Sequence, residues 1–134
     1  MKALIVEDDF IARHILKESL SPYGKSDIAV DGEEAVSSFR LAWEENSPYD
    51  LICMDIMMPK VDGQEALRQI REMERLLGIK DPQRVKVIMI TSVDDLSSMN
   101  KAVAEGGANF YMIKPINKQK LARLLTFFNF QPKT

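Results

Sequence analysis

The chain has 134 residues, a length that suits one domain with a single hydrophobic core. Its composition is 46% hydrophobic and 28% charged, which is typical of a folded globular protein and excludes a disordered or membrane-embedded chain. The net charge of −2 provides no basic surface for a phosphate backbone, and we therefore expect no direct nucleic-acid binding.

Two further features indicate the cellular compartment. Cys53 is the single cysteine, so the chain cannot form an internal disulfide. The apolar run at residues 1–6 is too short for a signal peptide, and no apolar stretch approaches the length that spans a membrane. These features predict a cytoplasmic protein without membrane insertion.

Short apolar runs alternate along the chain with segments of helical period. The runs are partly β-branched and predict strands, whereas the apolar stripes between them predict helices. The predicted strands are Ala3 to Val6, Asp27 to Val30, Leu51 to Met54, Val85 to Ile90 and Phe110 to Ile113. The predicted helical stripes run from Ile11 to Leu20, Ala35 to Trp43, Ala66 to Leu77, Met99 to Val103 and Leu121 to Phe128.

Five repeats of a strand followed by a helix indicate a parallel sheet, because each parallel connection needs a crossover. We predict an α/β fold with a doubly wound five-stranded parallel sheet and helices on both faces. Its expected strand order is the flavodoxin-like 2-1-3-4-5, and residues 1–134 are expected to form one domain. In such sheets a ligand binds at the carboxyl ends of the strands, near the switch point beside strand one.

Polar residues suited to phosphate or metal chemistry follow four of the predicted strands. They are Glu7-Asp8-Asp9 after strand one, Asp55 after strand three, Thr91-Ser92 after strand four and Lys114-Pro115 after strand five. These strands are adjacent in the predicted order, so their polar ends should converge on one pocket. Strand two ends in Asp31-Gly32, which we interpret as a turn and a helix start.

The clustered carboxylates predict a metal site, because they repel one another unless a cation neutralises them. Mg²⁺ is favoured, since a few carboxylates from separate strands leave room for water and a substrate oxygen. The expected ligands are Asp8, Asp55 and a backbone carbonyl after Asp55, most simply that of Met57, with Glu7 acting through water. Asp55 is also the best nucleophile, because a carboxylate can form an acyl phosphate. Lys114 would supply positive charge to the phosphoryl oxygens.

Four segments of the chain closely resemble the receiver domain of two-component response regulators, and they occur in the same order as in that family. They are Leu4 to Asp9, Met54 to Gly63, Ile90 to Ser92 and Lys114-Pro115. The resemblance implies that Asp55 is the phosphoacceptor and that Glu7 and Asp8 form the acidic pair. It also implies that Thr91 is the switch hydroxyl, Lys114 the lysine of the site and Tyr111 the switch aromatic.

The resemblance also implies the biological setting of this chemistry. The chain would be a stand-alone, chemotaxis-regulator-like phosphoprotein of a bacterial phosphorelay, and a signalling domain rather than an enzyme. A sensor histidine kinase or a histidine phosphotransfer protein would donate the phosphoryl group, and an unidentified downstream protein would respond. The expected output surface consists of the predicted fourth helix, strand five and the fifth helix. The Lys114-Pro115 peptide bond is expected to be cis.

Two other functions use similar residues. A haloacid-dehalogenase-type phosphohydrolase also phosphorylates an aspartate, but it uses a second aspartate two residues later, and Met57 stands there. A degenerate receiver that binds partners without phosphorylation is the second alternative. A flavin or nucleotide carrier is disfavoured, because Glu7-Asp8-Asp9 would repel a phosphate after strand one.

Several polar residues have simpler interpretations. We expect Asp9 to cap the first helix and Asn117 the fifth. Ser92 or Asp94 is expected to cap the fourth helix, leaving Thr91 for the phosphoryl group. His14, the only histidine, is expected to be a surface residue of the first helix.

Overall fold

The computed structural model describes residues 1–58, 60–92 and 107–133. Within these ranges, five parallel strands form one sheet in the order β2-β1-β3-β4-β5, which confirms the predicted doubly wound topology. The strands are β1 (Lys2–Val6), β2 (Lys25–Ala29), β3 (Leu51–Asp55), β4 (Lys86–Thr91) and β5 (Phe110–Ile113). Because all five are parallel, their carboxyl ends meet at one edge of the sheet.

Four helices lie within the described ranges, each begun by a polar cap. They are α1 (Phe10–Leu20), α2 (Gly32–Glu44), α3 (Gly63–Leu76) and the C-terminal helix (Lys118–Phe127). The caps Asp9, Asp31, Asp62 and Asn117 each accept a hydrogen bond from the backbone N–H three residues later, at 2.8–3.0 Å. The capping roles of Asp9 and Asn117 are therefore confirmed, and Asp31 starts a helix as predicted. The predicted fourth helix, including Asp94, lies outside the described residues.

The sheet separates two hydrophobic clusters, because successive side chains of a strand point to opposite faces. On one face, Leu4 packs with Phe39 of α2 and Ile70 of α3. On the other, Ile5 packs with Leu16 of α1 and with the C-terminal helix. All five residues of β3 are buried, so the central strand is held from both sides. None of the described helices is long and apolar enough to cross a membrane.

A buried polar network joins α3 to the amino ends of β4 and β5. The Glu74 carboxylate is fully buried; it accepts hydrogen bonds from the Val85 backbone N–H at 2.8 Å and from the Arg71 guanidinium at 2.6 Å. Arg71 also donates to the Gly107 carbonyl and to Asn109 Oδ1, at 2.8 and 2.9 Å. Each oxygen of the buried carboxylate thus has a donor, which offsets the loss of hydration.

We expect Glu74→Ala to lower the free energy of unfolding by about 3–5 kcal/mol, because it leaves the half-buried Arg71 guanidinium and the Val85 N–H without the Glu74 carboxylate. The measurement is urea unfolding followed by circular dichroism. Glu72→Ala is the matched control, since Glu72 lies on the same helix and pairs with Arg75 at the surface. Its removal should change stability little. Equal effects of the two substitutions would contradict the stabilising role of the network.

Candidate functional site

The carboxyl ends of four adjacent strands form the candidate site. The strand register aligns Val6 with Met54, Asp55 with Ile90, and Thr91 with Ile113. The polar residues at or just after these positions are therefore held side by side along one edge of the sheet. This is the convergence that the sequence predicted from the strand ends.

Lys114 links two of the converging carboxylates. Its Nζ atom lies 3.1 Å from Asp55 Oδ2 and 3.2 Å from Glu7 Oε1. The Lys114 backbone N–H donates to the Thr91 carbonyl at 2.7 Å, which ties the residue to the end of β4. The Lys114-Pro115 peptide bond is cis, as predicted. The ammonium group thus supplies the positive charge that the two carboxylates share.

The acidic residues form a compact cluster. Glu7, Asp8 and Asp55 each offer one carboxylate oxygen, and these oxygens lie within 4.8 Å of one another. Glu7 and Asp55 are buried, whereas Asp8 is exposed. Burial and the negative charge of Asp55 raise the pKa of Glu7 to about 7, although Lys114 acts in the opposite direction. Grouped carboxylates of this kind favour a hard divalent cation bound through oxygen.

The Glu7 side chain provides an independent test of this fit. Its Oε2 atom is buried and has no hydrogen-bond partner among the described residues. Its Oε1 atom, by contrast, accepts from Lys114 and from the Asp9 backbone N–H at 3.2 Å. A buried oxygen without a donor is unfavourable unless water or a cation contacts it. The carboxylate oxygens of the cluster therefore fit a magnesium ion that also has water in its coordination shell.

The loop after β3 packs tightly beneath Asp55. The Asp55 Oδ1 atom accepts a hydrogen bond from the Met57 backbone N–H at 3.2 Å. The Met57 side chain is exposed. Gly63 begins α3 so close to the strand end that a Cβ atom there would lie 2.3 Å from the Asp55 carbonyl oxygen. Only glycine permits this approach. The Met57 carbonyl as a metal ligand stays a prediction.

One contact at this edge was not foreseen from the sequence. Arg13 of α1 donates from Nη1 to the Glu7 carbonyl at 3.3 Å, and its guanidinium lies 5.6 Å from the centre of the Phe10 ring. The helical spacing after the Asp9 cap was the available signal, because it turns residue 13 back towards the helix start. His14 is largely exposed, as predicted, and contacts Glu18 at 3.4 Å.

The two expected switch residues lie on neighbouring strands. Thr91 is buried at the end of β4, and its hydroxyl donates to the Ser92 carbonyl at 3.2 Å. Tyr111 is half-buried on β5, packs against the cluster beneath α2 and α3, and stacks on Phe110 with ring centres 5.8 Å apart. Packing alone accounts for this position of Tyr111, and the switch roles of both residues stay predictions.

Comparison with known proteins places these features in a family. The family model for the response regulator receiver domain matches residues 3–126. The two-component response regulator ORR41 of Oryza sativa subsp. japonica is 33% identical over 128 residues, covering 96% of this chain and 94% of that protein. Probable histidine kinase 2 of Oryza sativa subsp. indica is 36% identical over 131 residues, but the chain spans only 12% of its length.

Solved structures show the same likeness. The receiver domain of the sensor histidine kinase PA1611 from Pseudomonas aeruginosa PAO1, with a magnesium ion in its active-site cleft, has a TM-score of 0.73 and 29% identity, covering 95% of each chain. The Saccharomyces cerevisiae Ssk1 receiver domain was solved in complex with the histidine phosphotransfer protein Ypd1. That structure has a TM-score of 0.78 and 30% identity, covering 96% of this chain and 88% of the other.

We expect Asp8→Asn to weaken Mg²⁺ binding by about tenfold or more, because it removes one charged oxygen ligand from the cluster. The measurement is a Mg²⁺ titration followed through the amide chemical shifts of Ile56 and Met57. Asp9→Asn is the matched control: it removes the neighbouring charge but leaves a good helix cap. If both variants lost affinity equally, general electrostatics rather than ligation would explain the effect.

Proposed function

The chain belongs to the response regulator receiver domain family, and on that basis we propose that it is a phosphorelay switch phosphorylated on Asp55. The observation that carries the proposal is the Asp55 carboxylate itself. It is 4% exposed at the end of the central strand, 3.1 Å from the Lys114 ammonium and within the acidic cluster of Glu7 and Asp8. A nucleophile, a fixed cation and a metal site thus lie together. We propose that residues 1–134 act as one receiver domain.

The chemistry is a phosphoryl transfer between heteroatoms. A carboxylate oxygen of Asp55 attacks the phosphorus of a phosphohistidine; the P–N bond breaks as the new P–O bond forms, and the leaving imidazole takes a proton from solvent. Asp8, Asp55 and the Met57 carbonyl would hold Mg²⁺, with Glu7 acting through water, and the ion would neutralise charge on the phosphoryl oxygens. Lys114 gives a second positive charge, and the Thr91 hydroxyl donates to the product.

The surface around Asp55 supports a protein as donor. Phe10 and Ile11 at the start of α1, and Met57 in the loop after β3, are 70%, 67% and 62% exposed. Large apolar side chains exposed beside a reactive group are typical of a protein-docking surface. We therefore propose a sensor histidine kinase or a histidine phosphotransfer protein as donor, and a downstream protein as the recipient of the signal.

The residues at the site weigh against the two alternatives. A phosphohydrolase of the aspartyl-phosphate type needs an acid/base two residues after its nucleophile, and the exposed thioether of Met57 cannot transfer a proton. A degenerate receiver would lack part of the reacting set. Here Asp55, Lys114 and Thr91 are all present, and the acidic pair lies beside them.

We expect incubation with Mg²⁺ and acetyl phosphate to add one phosphoryl group, seen by mass spectrometry of the intact protein. Asp55→Asn should abolish the addition because it removes the nucleophile, and excess chelator should do the same. Asp62→Asn is the control, since asparagine still caps α3 and the residue lies outside the acidic cluster. Steady phosphate release without labelled protein would instead support a phosphohydrolase, and a folded protein that stays unlabelled would support a degenerate receiver.

The proposed output surface includes β5 and the C-terminal helix, together with the predicted fourth helix outside the described residues. With Mg²⁺, beryllofluoride mimics the phosphoryl group, and we expect it to shift the amide resonances of Thr91, Tyr111 and Lys118. Lys114→Arg should confine the shifts to the site, because a planar guanidinium does not replace a compact ammonium. Lys120→Arg is the control, because Lys120 is an exposed lysine of the C-terminal helix. Wild-type shifts confined to Asp8, Asp55 and Lys114 would contradict this output surface.

A further inference from the structure

A cavity separate from the Asp55 site opens at the opposite end of the sheet. It lies where β3, β4 and β5 begin, since its lining includes Asp50, Lys86 and Asn109, which precede or start these strands. Its volume is about 630 Å³. This volume lies in the range of small-molecule sites, which are roughly 300–1,000 Å³. The cavity takes no part in the chemistry of Asp55.

Aromatic side chains form much of the wall of this cavity. Trp43 comes from the last turn of α2, Tyr49 from the loop before β3, and Phe127 from the end of the C-terminal helix. Phe127 is 74% exposed, so its ring is accessible to a ligand. The Trp43 indole N–H is buried and has no hydrogen-bond partner among the described residues. The cavity therefore combines aromatic surface with an unused donor beside it, which suits a planar aromatic ligand.

The charged groups of the lining are mainly positive. Arg84 uses its Nε atom to donate to the Ile79 carbonyl at 3.0 Å. Within the described part of the chain, neither Arg84 nor Lys86 forms a salt bridge, although both are half-buried. Asp50 is the carboxylate of the lining, and it accepts a hydrogen bond from the Lys2 backbone N–H at 2.8 Å. The two partly desolvated cations outnumber the single carboxylate of the lining, which favours an anionic ligand.

The wall of the cavity is held in place before any ligand arrives. Asn109 Oδ1 accepts from the Val87 backbone N–H at 2.9 Å and from Arg71, while the Asn109 backbone N–H donates to the Val87 carbonyl. The Tyr49 hydroxyl donates to Asp27 Oδ2 at 2.7 Å. A wall fixed by such contacts loses little conformational freedom on binding, which favours a preformed site.

We propose that this cavity binds a small planar aromatic anion, with its ring against Trp43 and Phe127 and its anionic group on Arg84 and Lys86. A ligand that uses both the cations and the aromatic side chains of the lining must carry an anionic group and an aromatic ring. A carboxylate and a phosphate would use the same two cations, so the shared chemistry is an aromatic ring bearing an anionic group. The proposal is independent of the phosphorelay role.

The test uses the full chain without added Mg²⁺, so that the Asp55 site does not compete for anions. The probes are 1-naphthoate, 1-naphthyl phosphate and the neutral 1-naphthamide. Trp43 is the single tryptophan, so its indole N–H gives one isolated NMR resonance at the cavity. We expect a saturable shift with either or both anions, and binding of the amide weaker by about tenfold or more, because it lacks the charge-assisted hydrogen bonds. The better anion identifies the ligand class.

Matched variants then locate the anionic group. Arg84→Gln and Lys86→Gln should each weaken the bound anion, and Lys86→Arg should keep most of its affinity because the charge remains. Arg123→Gln removes an exposed cation from the C-terminal helix outside this cavity and should leave binding unchanged. The proposal is overturned if the indole resonance shows no saturable shift, if the amide binds as well as the anions, or if the folded Gln variants keep wild-type affinity.

Discussion

Concentrated negative charge at one edge of the sheet is the constraint on which the site depends. The carboxylate oxygens of Glu7, Asp8 and Asp55 lie within 4.8 Å of one another, and two of these residues are buried. Such an arrangement opposes folding, since like charges repel most strongly where water is excluded. Lys114 compensates in part through its contacts with Glu7 and Asp55. The remaining negative charge favours the binding of a divalent cation at the site.

The hydrophobic core holds this unfavourable cluster together. Every residue of β3 is buried between the helical layers, so Asp55 cannot move away from Glu7 without disturbing both clusters. Gly63 brings α3 directly against the Asp55 carbonyl, and the Glu74 network fastens the other end of the same helix to β4. Close packing of this kind resists small adjustments. The stability of the fold thus maintains the geometry that the chemistry needs.

The sequence predicted the topology and the acidic site because their signals are local: short apolar strands, each followed by a polar residue. It missed features that depend on tertiary contacts. The prediction began the second strand at Asp27 and so missed Lys25 and Ser26, the first residues of β2, because an edge strand can be polar on its exposed side. The predicted helical stripe from Ala66 to Leu77 contains Glu74 but did not indicate that this residue is fully buried. Its backbone donor, Val85, lies beyond the end of α3 and just before β4, so the helical pattern does not reveal this contact.

The contacts of Thr91 explain how phosphorylation of Asp55 would be felt at a distance. Its buried hydroxyl donates to a neutral acceptor, the Ser92 carbonyl, at 3.2 Å. A neutral hydrogen bond contributes about 0.5–1.5 kcal/mol and one to a charged group about 1.5–3 kcal/mol. A phosphoryl dianion on Asp55 would therefore favour the orientation in which the Thr91 hydroxyl points towards it. The preference would be about 1 kcal/mol, or about fivefold in population. Under the proposed switch roles of Thr91 and Tyr111, this modest bias would be transmitted to β5, because Tyr111 lies on the strand paired with β4.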